Sequence, residues 1–349
     1  MSEPRRILVA TTSTIPGYSG GWTTPVDLLQ EDYEVHYLVT AGRSGRYVLE
    51  DVPVTAVPTW LRFRSDWPTL NRVRSTLSTL SFRMHLQACH RRLSPDLLVA
   101  LDVPAAYACI RLGLPYVMRF HSEPEGFARE TLARVVEEAI FATTTPSVSV
   151  PGAVEIPHNV DLDRFHYSEP KSADRAILVS TLNGIRCPML FVEGVMRSSM
   201  SGAVVGTGPL ADEVRRACEA SGGKVEYLPP VPRLQLPGLL DRFQVGVATY
   251  RQVPEIYQMK VNGYLATGMM TVVMPWTHLA LIRPDLTITA ESPDELAGRL
   301  DWIRDNWEQT LEVRRKARDW VHANYSVDRP RRLFAELLRK HLGGDWGGR

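Results

Sequence analysis

The chain reads as two α/β domains of similar size, each built on a mainly parallel sheet. Three observations predict this. Its 349 residues suffice for two domains of ordinary length. Short apolar, β-branched runs alternate with helix-like segments from end to end. The alternation breaks once, near the middle, at IPHNVDLDRF (156–165), which has neither a helical nor a strand period.

In the first half, strands are predicted at 6–12, 33–40, 52–58, 96–102 and 115–121, with helices near 23–30, 70–93, 104–113 and 125–140. Runs such as RILVATT and DLLVALD are apolar throughout, as strands buried on both faces must be. In the second half, strands fall at 176–181, 202–207, 224–229, 245–250, 270–275 and 286–290. Helices fit 187–197, 210–221, 233–242, 257–267, 277–282 and 293–306. SPDEL (292–296) sets Ser292 as an N-cap, Pro293 at the first helical position and acids in the first turn. The segment 156–165 then marks the passage from the first domain, 1–165, to the second, 166–325. The tail, 326–343, lines up Leu333, Phe334, Leu337, Leu338 and Leu342 on one helical stripe. A stripe this late must dock on something already folded.

Hydrophobic residues make up 44% of the chain and charged ones 23%, ordinary for a soluble globular protein. No apolar run approaches the roughly 20 residues that span a bilayer, and MSEPRRILVATT lacks a cleavage site. Cys89, Cys109, Cys187 and Cys218 show no CxxC spacing, so a reducing, cytoplasmic setting is expected. The net charge of +1 says nothing about partners, but its distribution does. Between Arg62 and Arg92 stand seven arginines and one acid, Asp66. Trp60, Phe63 and Trp67 are interleaved with Arg62 and Arg64, and a basic stretch with Arg72 and Arg74 follows. Such a surface suits an anionic partner, either phospholipid headgroups or nucleic acid such as DNA. The plainer alternative is that these arginines pair with acids elsewhere.

Open α/β sheets bind ligands beyond the carboxyl ends of their strands. After the first strand, Gly17, Gly20 and Gly21 allow close backbone approach, as they would in any flexible βα loop. His121 ends the fifth strand and could bond an oxygen or move a proton, though a single histidine is more often structural. Arg186 follows the first strand of the second half, where it could pair with a diphosphate. YRQVPEIYQMKVNGYLATG (250–268) gathers Arg251, Glu255, Lys260 and Asn262, with Lys260 in the first turn of the predicted helix. No paired aspartates follow a strand where a divalent ion would be expected, so no metal is predicted.

Together these segments resemble the GT-B glycosyltransferases, in particular the retaining group called glycosyltransferase family 4. IPHNVDLDRF looks like that family's junction segment. Gly20 and Gly21, Phe120 and His121, the run 204–231 containing GTGP, and KVNGYLATG (260–268) resemble its further motifs in the same order. The resemblance implies two Rossmann-like domains with parallel sheets facing across a cleft, and a C-terminal helix, 326–349, crossing back to the N-domain. It implies transfer of a sugar from a nucleotide-diphosphate donor, as co-substrate and without a cofactor, to a hydroxyl acceptor. That acceptor is an anionic molecule or a small molecule, and the protein a monomer or homodimer. Gly20, Gly21, Arg186, Lys260 and Asn262 would bind the donor, and His121 and Glu255 would meet its sugar. Two departures stand out. Thr181 occupies the place of a diphosphate-binding arginine, and Gly263 that of a ribose-binding glutamate. They keep open a second reading, a non-catalytic sugar-nucleotide-binding or partner subunit. A nucleotide-sugar epimerase would need more acids and histidines than the chain offers.

Overall fold

The computed structural model describes residues 5–12, 33–40, 53–57, 68–120, 127–144, 149–156, 160, 162–170, 172–232, 235–251 and 259–343, with no side-chain detail for 68–78 and 259. The chain divides into two compact units, Met1–His158 with Asp328–Arg349, and Asn159–Val327. Among the described residues no helix is long and apolar enough to cross a membrane.

The first unit carries a seven-stranded sheet of β1 (Arg6–Ala10), β2 (Glu34–Thr40), β3 (Val54–Val57), β4 (Leu97–Ala100), β5 (Val117–Arg119), β6 (Ala142–Thr144) and β7 (Val154–Glu155). Their order is β3-β2-β1-β4-β5-β6-β7, and the described pairings are all parallel. Strand alternation sends Leu8, Ala10, Leu38, Leu98, Ala100, Met118 and Ala142 to one face. There they pack with Phe82, Leu86 and Cys89 of helix α1 (Pro68–Leu93) and with Ala105, Ala106 and Cys109 of α2 (Val103–Leu112). Asp102 caps α2 through Ala105 N–H at 2.8 Å, and Gly113 at φ 63° closes it. Helix α3 (Arg129–Glu137) packs on α2 and buries Val135.

The second unit holds β8 (Arg175–Val179), β9 (Ser201–Val205), β10 (Val225–Leu228), β11 (Val245–Ala248), β12 (Met270–Val273) and β13 (Ile288–Thr289), in the order β10-β9-β8-β11-β12-β13, again parallel. Its helices are α4 (Pro188–Arg197), α5 (Ala211–Ala220), α6 (Leu236–Leu240), α7 (Met259–Ala266), α8 (His278–Ile282), α9 (Pro293–Asp305) and α10 (Leu311–Tyr325). Phe191 and Val195 of α4 and Leu296, Leu300 and Ile303 of α9 cover one sheet face, while Tyr264 of α7 covers the other with Leu239 and Leu240. Ser292 caps α9 by accepting from Glu295 N–H at 3.2 Å, with Pro293 opening the helix.

Val160, Leu162 and Phe165 pack in the second unit with Val261 and Leu265 of α7 and Val321 of α10. The sequence reading assigned them to the end of the first domain; the division falls earlier, after His158, because these apolar groups join the second core. The amide of Val160 donates to the Tyr325 carbonyl at 2.7 Å. The last helix, α11 (Asp328–Leu342), belongs to the first unit, where Phe334 meets Phe141 edge-on at 5.8 Å between ring centres.

Candidate functional site

In the second unit the chain runs β8 to β9 to β10 in one direction across the sheet. It then returns to the other side of β8 with β11. At such a reversal the two loops leaving the strands diverge and open a crevice beyond their carboxyl ends. Arg186 stands in the loop after β8, Tyr250 follows β11, and Lys260 lies in the first turn of α7.

The loop 180–187 is tied down on two sides. Towards β9, Ser180 N–H donates to Val205 O at 2.9 Å and Leu182 N–H to Thr207 O at 2.9 Å. Leu182 O in turn accepts from Leu210 N–H at 2.9 Å. Gly206 at φ 149° and Gly208 at φ 154° permit this contact, because a Cβ on either would collide with the carbonyl oxygens of Ser180 and Leu182. Towards β11, Arg251 N–H donates to Ile185 O at 2.9 Å, and the Thr249 hydroxyl to Arg186 O at 2.6 Å. Asn183 turns the loop, its side-chain oxygen accepting from the amides of Ile185 at 3.1 Å and Arg186 at 3.0 Å. Cys187 is left at φ 43°, an uncommon backbone for a non-glycine residue, between Arg186 and the opening proline of α4.

Tyr250 is buried, and Trp276 fixes its backbone with an indole N–H donated to Tyr250 O at 3.1 Å. The Arg186 guanidinium lies 4.0 Å from the Tyr250 ring centre and the Lys260 ammonium 5.2 Å from it. Two cations thus share one aromatic face system. The Lys260 ammonium is buried and has no hydrogen-bond partner among the described residues. Burial, reinforced by the charge of Arg186, holds its pKa well below the usual lysine value. Burial also lowers Arg186, to about 10. A buried ammonium without a counter-charge costs on the order of several kcal/mol, and an anion placed against both cations would remove that penalty.

The other expected residues fall differently. Asn262 sits on the opposite side of α7 from Lys260, in a small cavity with Thr277, His278, Leu279, Trp320 and Tyr325, so the structure does not bring it to the two cations. Gly263 lies under Phe165: a Cβ there would be 3.2 Å from the ring. The position that the resemblance gives to a ribose-binding glutamate therefore packs against Phe165 of the segment 156–165. Thr181 lies within the tied loop, between Ser180 and Leu182, and is exposed. Gly20, Gly21, Arg62, Arg64, His121 and Glu255 lie outside the described residues, and for Arg72 and Arg74 only the α1 backbone is described. Among the described residues no group of three or more His, Cys, Asp or Glu could hold a metal ion. Sequence reasoning missed Tyr250, although its position directly after an apolar run was a usable signal. It also missed Thr249 and Trp276, whose roles depend on distant partners.

A family model described as glycosyl transferase-like matches residues 190–335, less than half of the chain. No curated protein matches it in sequence. Among solved structures, Anabaena Alr3699/HepE in complex with UDP-glucose superposes with a TM-score of 0.72 at 16% identity, covering 96% of this chain and 99% of that one. Sucrose-phosphate synthase from Thermosynechococcus elongatus gives 0.72 at 13% identity, with 97% and 99% covered. An E. coli trehalose-6-phosphate protein bound with UDP-2-fluoro glucose gives 0.61 at 12%, with 95% and 98% covered. These likenesses show the GT-B fold, and with the family model they support a glycosyltransferase.

Proposed function

We propose that this GT-B protein transfers a sugar from a nucleotide-diphosphate donor to a hydroxyl acceptor, with the donor's diphosphate held by Arg186 and Lys260. The observation that carries this reading is the Lys260 ammonium, buried with no hydrogen-bond partner among the described residues, near Arg186 and Tyr250 where the strand order reverses at β8 and β11. Arg186 offers a planar fork to two phosphate oxygens, and Lys260 a point charge to a third. During transfer the bond from the anomeric carbon to the diphosphate breaks, a bond to the acceptor oxygen forms, and the acceptor's hydroxyl proton is released. Negative charge then accumulates on the departing diphosphate. Cations already fixed around Tyr250 stabilise that charge without reorganising. They supply the neutralisation that a divalent ion supplies elsewhere, so the reading expects activity to survive a chelator. It also assigns His121 and Glu255 to the sugar, Gly20 and Gly21 to the donor, and retention of configuration to the transfer. The solved neighbours that bind UDP or UDP-glucose make UDP-sugars the first donors to try.

Isothermal calorimetry with UDP and with UDP-sugars tests the reading. Saturable binding in the wild type that is weakened in Arg186→Ala and in Lys260→Ala is expected; equal affinity in all three proteins would remove the clamp. Phe165 over Gly263 favours a second reading, a protein that binds sugar nucleotides without turning them over. Release of free sugar from a bound UDP-sugar separates the two, since only an enzyme produces it.

A further inference from the structure

The first unit also contains a buried cation that the donor reading does not use. Arg119 is the last residue of β5 and is completely buried. It is a large charged side chain in the middle of a parallel sheet. Leu8, Leu98, Met118 and Ala142 face α1 and α2, so strand alternation places Arg119 on the opposite face, beside its register partner Thr143 on β6. One guanidinium nitrogen, Nη1, reaches the Thr143 hydroxyl oxygen at 3.4 Å. The other two, Nε and Nη2, are buried and have no hydrogen-bond partner among the described residues. Among the described residues no carboxylate is paired with it; burial pulls the pKa down to about 10.

The two unpartnered nitrogens are not a random pair. The N–H bonds of Nε and Nη2 run parallel along one edge of the guanidinium, and that edge is the one a carboxylate or phosphate takes with two oxygens. The third nitrogen is occupied by Thr143, which fixes the plane of the group. Arg119 also stands at the carboxyl end of its strand, the end where open α/β sheets receive ligands. A buried guanidinium kept for packing alone would need carbonyl or carboxylate partners, as Arg314 has in Thr310 and the Gly268 carbonyl while it stacks on Trp307. Among the described residues Arg119 has only Thr143.

We propose that Arg119, oriented by Thr143, binds two oxygens of an oxyanion, a carboxylate or phosphate carried by the acceptor, along its Nε–Nη2 edge. The assignment to the acceptor rests on the glycosyltransferase reading; the anion site itself does not. It deepens that reading by requiring an acidic acceptor, selected by a buried fork.

The test uses the full chain saturated with UDP, so that the Arg186–Lys260 pair is occupied. Inorganic phosphate or acetate is added against sodium chloride of equal ionic strength. The melting temperature of the wild type is expected to rise by about 3 °C at tenfold excess over Kd. Arg119→Met should lose that rise while keeping its response to UDP, and Arg119→Lys, which has charge but no fork, should bind the anion about tenfold more weakly. Without added anion, Arg119→Met should melt no lower than wild type, because it removes an uncompensated buried charge. The acetate and phosphate arms distinguish a carboxylate-bearing from a phosphate-bearing acceptor. An equal anion response in wild type and Arg119→Met overturns the proposal, and so does a lower melting point for Arg119→Met without anion. If UDP stabilises no variant but phosphate still separates wild type from Arg119→Met, the donor reading fails and the anion site stands.

Discussion

The crevice between β1 and β4 and the crevice between β8 and β11 occupy the same place in two copies of one topology, yet opposite charges fill them. In each unit the strand order reverses there. In the second unit Arg186 and Lys260 gather around Tyr250, and the ammonium has no hydrogen-bond partner among the described residues. In the first unit the same position holds Asp102. Its carboxylate accepts from the Thr11 hydroxyl at 2.5 Å, from Thr12 N–H at 2.7 Å and from Ala105 N–H at 2.8 Å. Among the described residues, the first crevice holds an acid whose hydrogen bonds are all internal, and the second holds a buried ammonium with no hydrogen-bond partner, which the proposed function gives to the donor's diphosphate. A shared fold therefore says where a ligand could sit, and the charge at the reversal says whether a phosphate can.

The comparison can be broken most forcefully at the cationic crevice. Replacing Arg186 or Lys260 by alanine should weaken UDP binding about 10- to 100-fold each, the scale of losing one or two hydrogen bonds to a charged group, as measured by calorimetry. At the acidic crevice, Asp102→Ala should lower unfolding stability in urea by about 2–3 kcal/mol, through loss of a helix cap and the bonds to Thr11 and Thr12. UDP affinity should not change. If it fell as steeply as in Lys260→Ala, the two crevices would not be functionally distinct.

Titration sharpens the contrast further. The folded pKa of Lys260 lies well below its unfolded value of 10.5, so between those two limits the unfolded chain carries more protons than the folded one. Stability without ligand should therefore climb as pH rises through that window, and Lys260→Met should remove the climb. A bound diphosphate favours the charged form, so UDP affinity should decline over the same window in the wild type. The smallest effect is expected from Tyr250→Leu, which removes the ring that both cations contact. A loss of about 1 kcal/mol, or roughly fivefold in UDP Kd, would match two partly buried cation–π contacts.

Much of this architecture was legible before any coordinates. The apolar runs of β1, β4, β8, β9 and β11 could be read because strands covered on both faces show no alternation to misplace. Ser292 and Pro293 announced α9. Two strands of the first sheet escaped notice. β6 is only Ala-Thr-Thr, its buried threonines reading as loop, and β7 is two residues long. Helix α10 was also missed. Its buried side includes Arg314, which stacks 3.8 Å from the Trp307 ring, so a charged residue interrupts the apolar stripe that would have betrayed it.

The site was half legible. Arg186 and Lys260 could be named from strand ends and a helix start, because those positions follow from topology. Asn262 was grouped with Lys260, although two residues apart in the predicted helix 257–267 they point to opposite sides. Arg119 was invisible for a simpler reason: an arginine at the end of a strand looks like a surface residue until its burial is seen.

GTGP, 206–209, has the look of a phosphate-cradling loop, but its two glycines turn their bare sides to the carbonyls of Ser180 and Leu182. Their service is mechanical. They let the neighbouring loop 180–187 lie flush, and that loop carries Arg186. A side chain at either glycine would act as a wedge, pushing on the segment that carries the guanidinium and swinging it out of place. Mutational damage at this motif would then report on leverage.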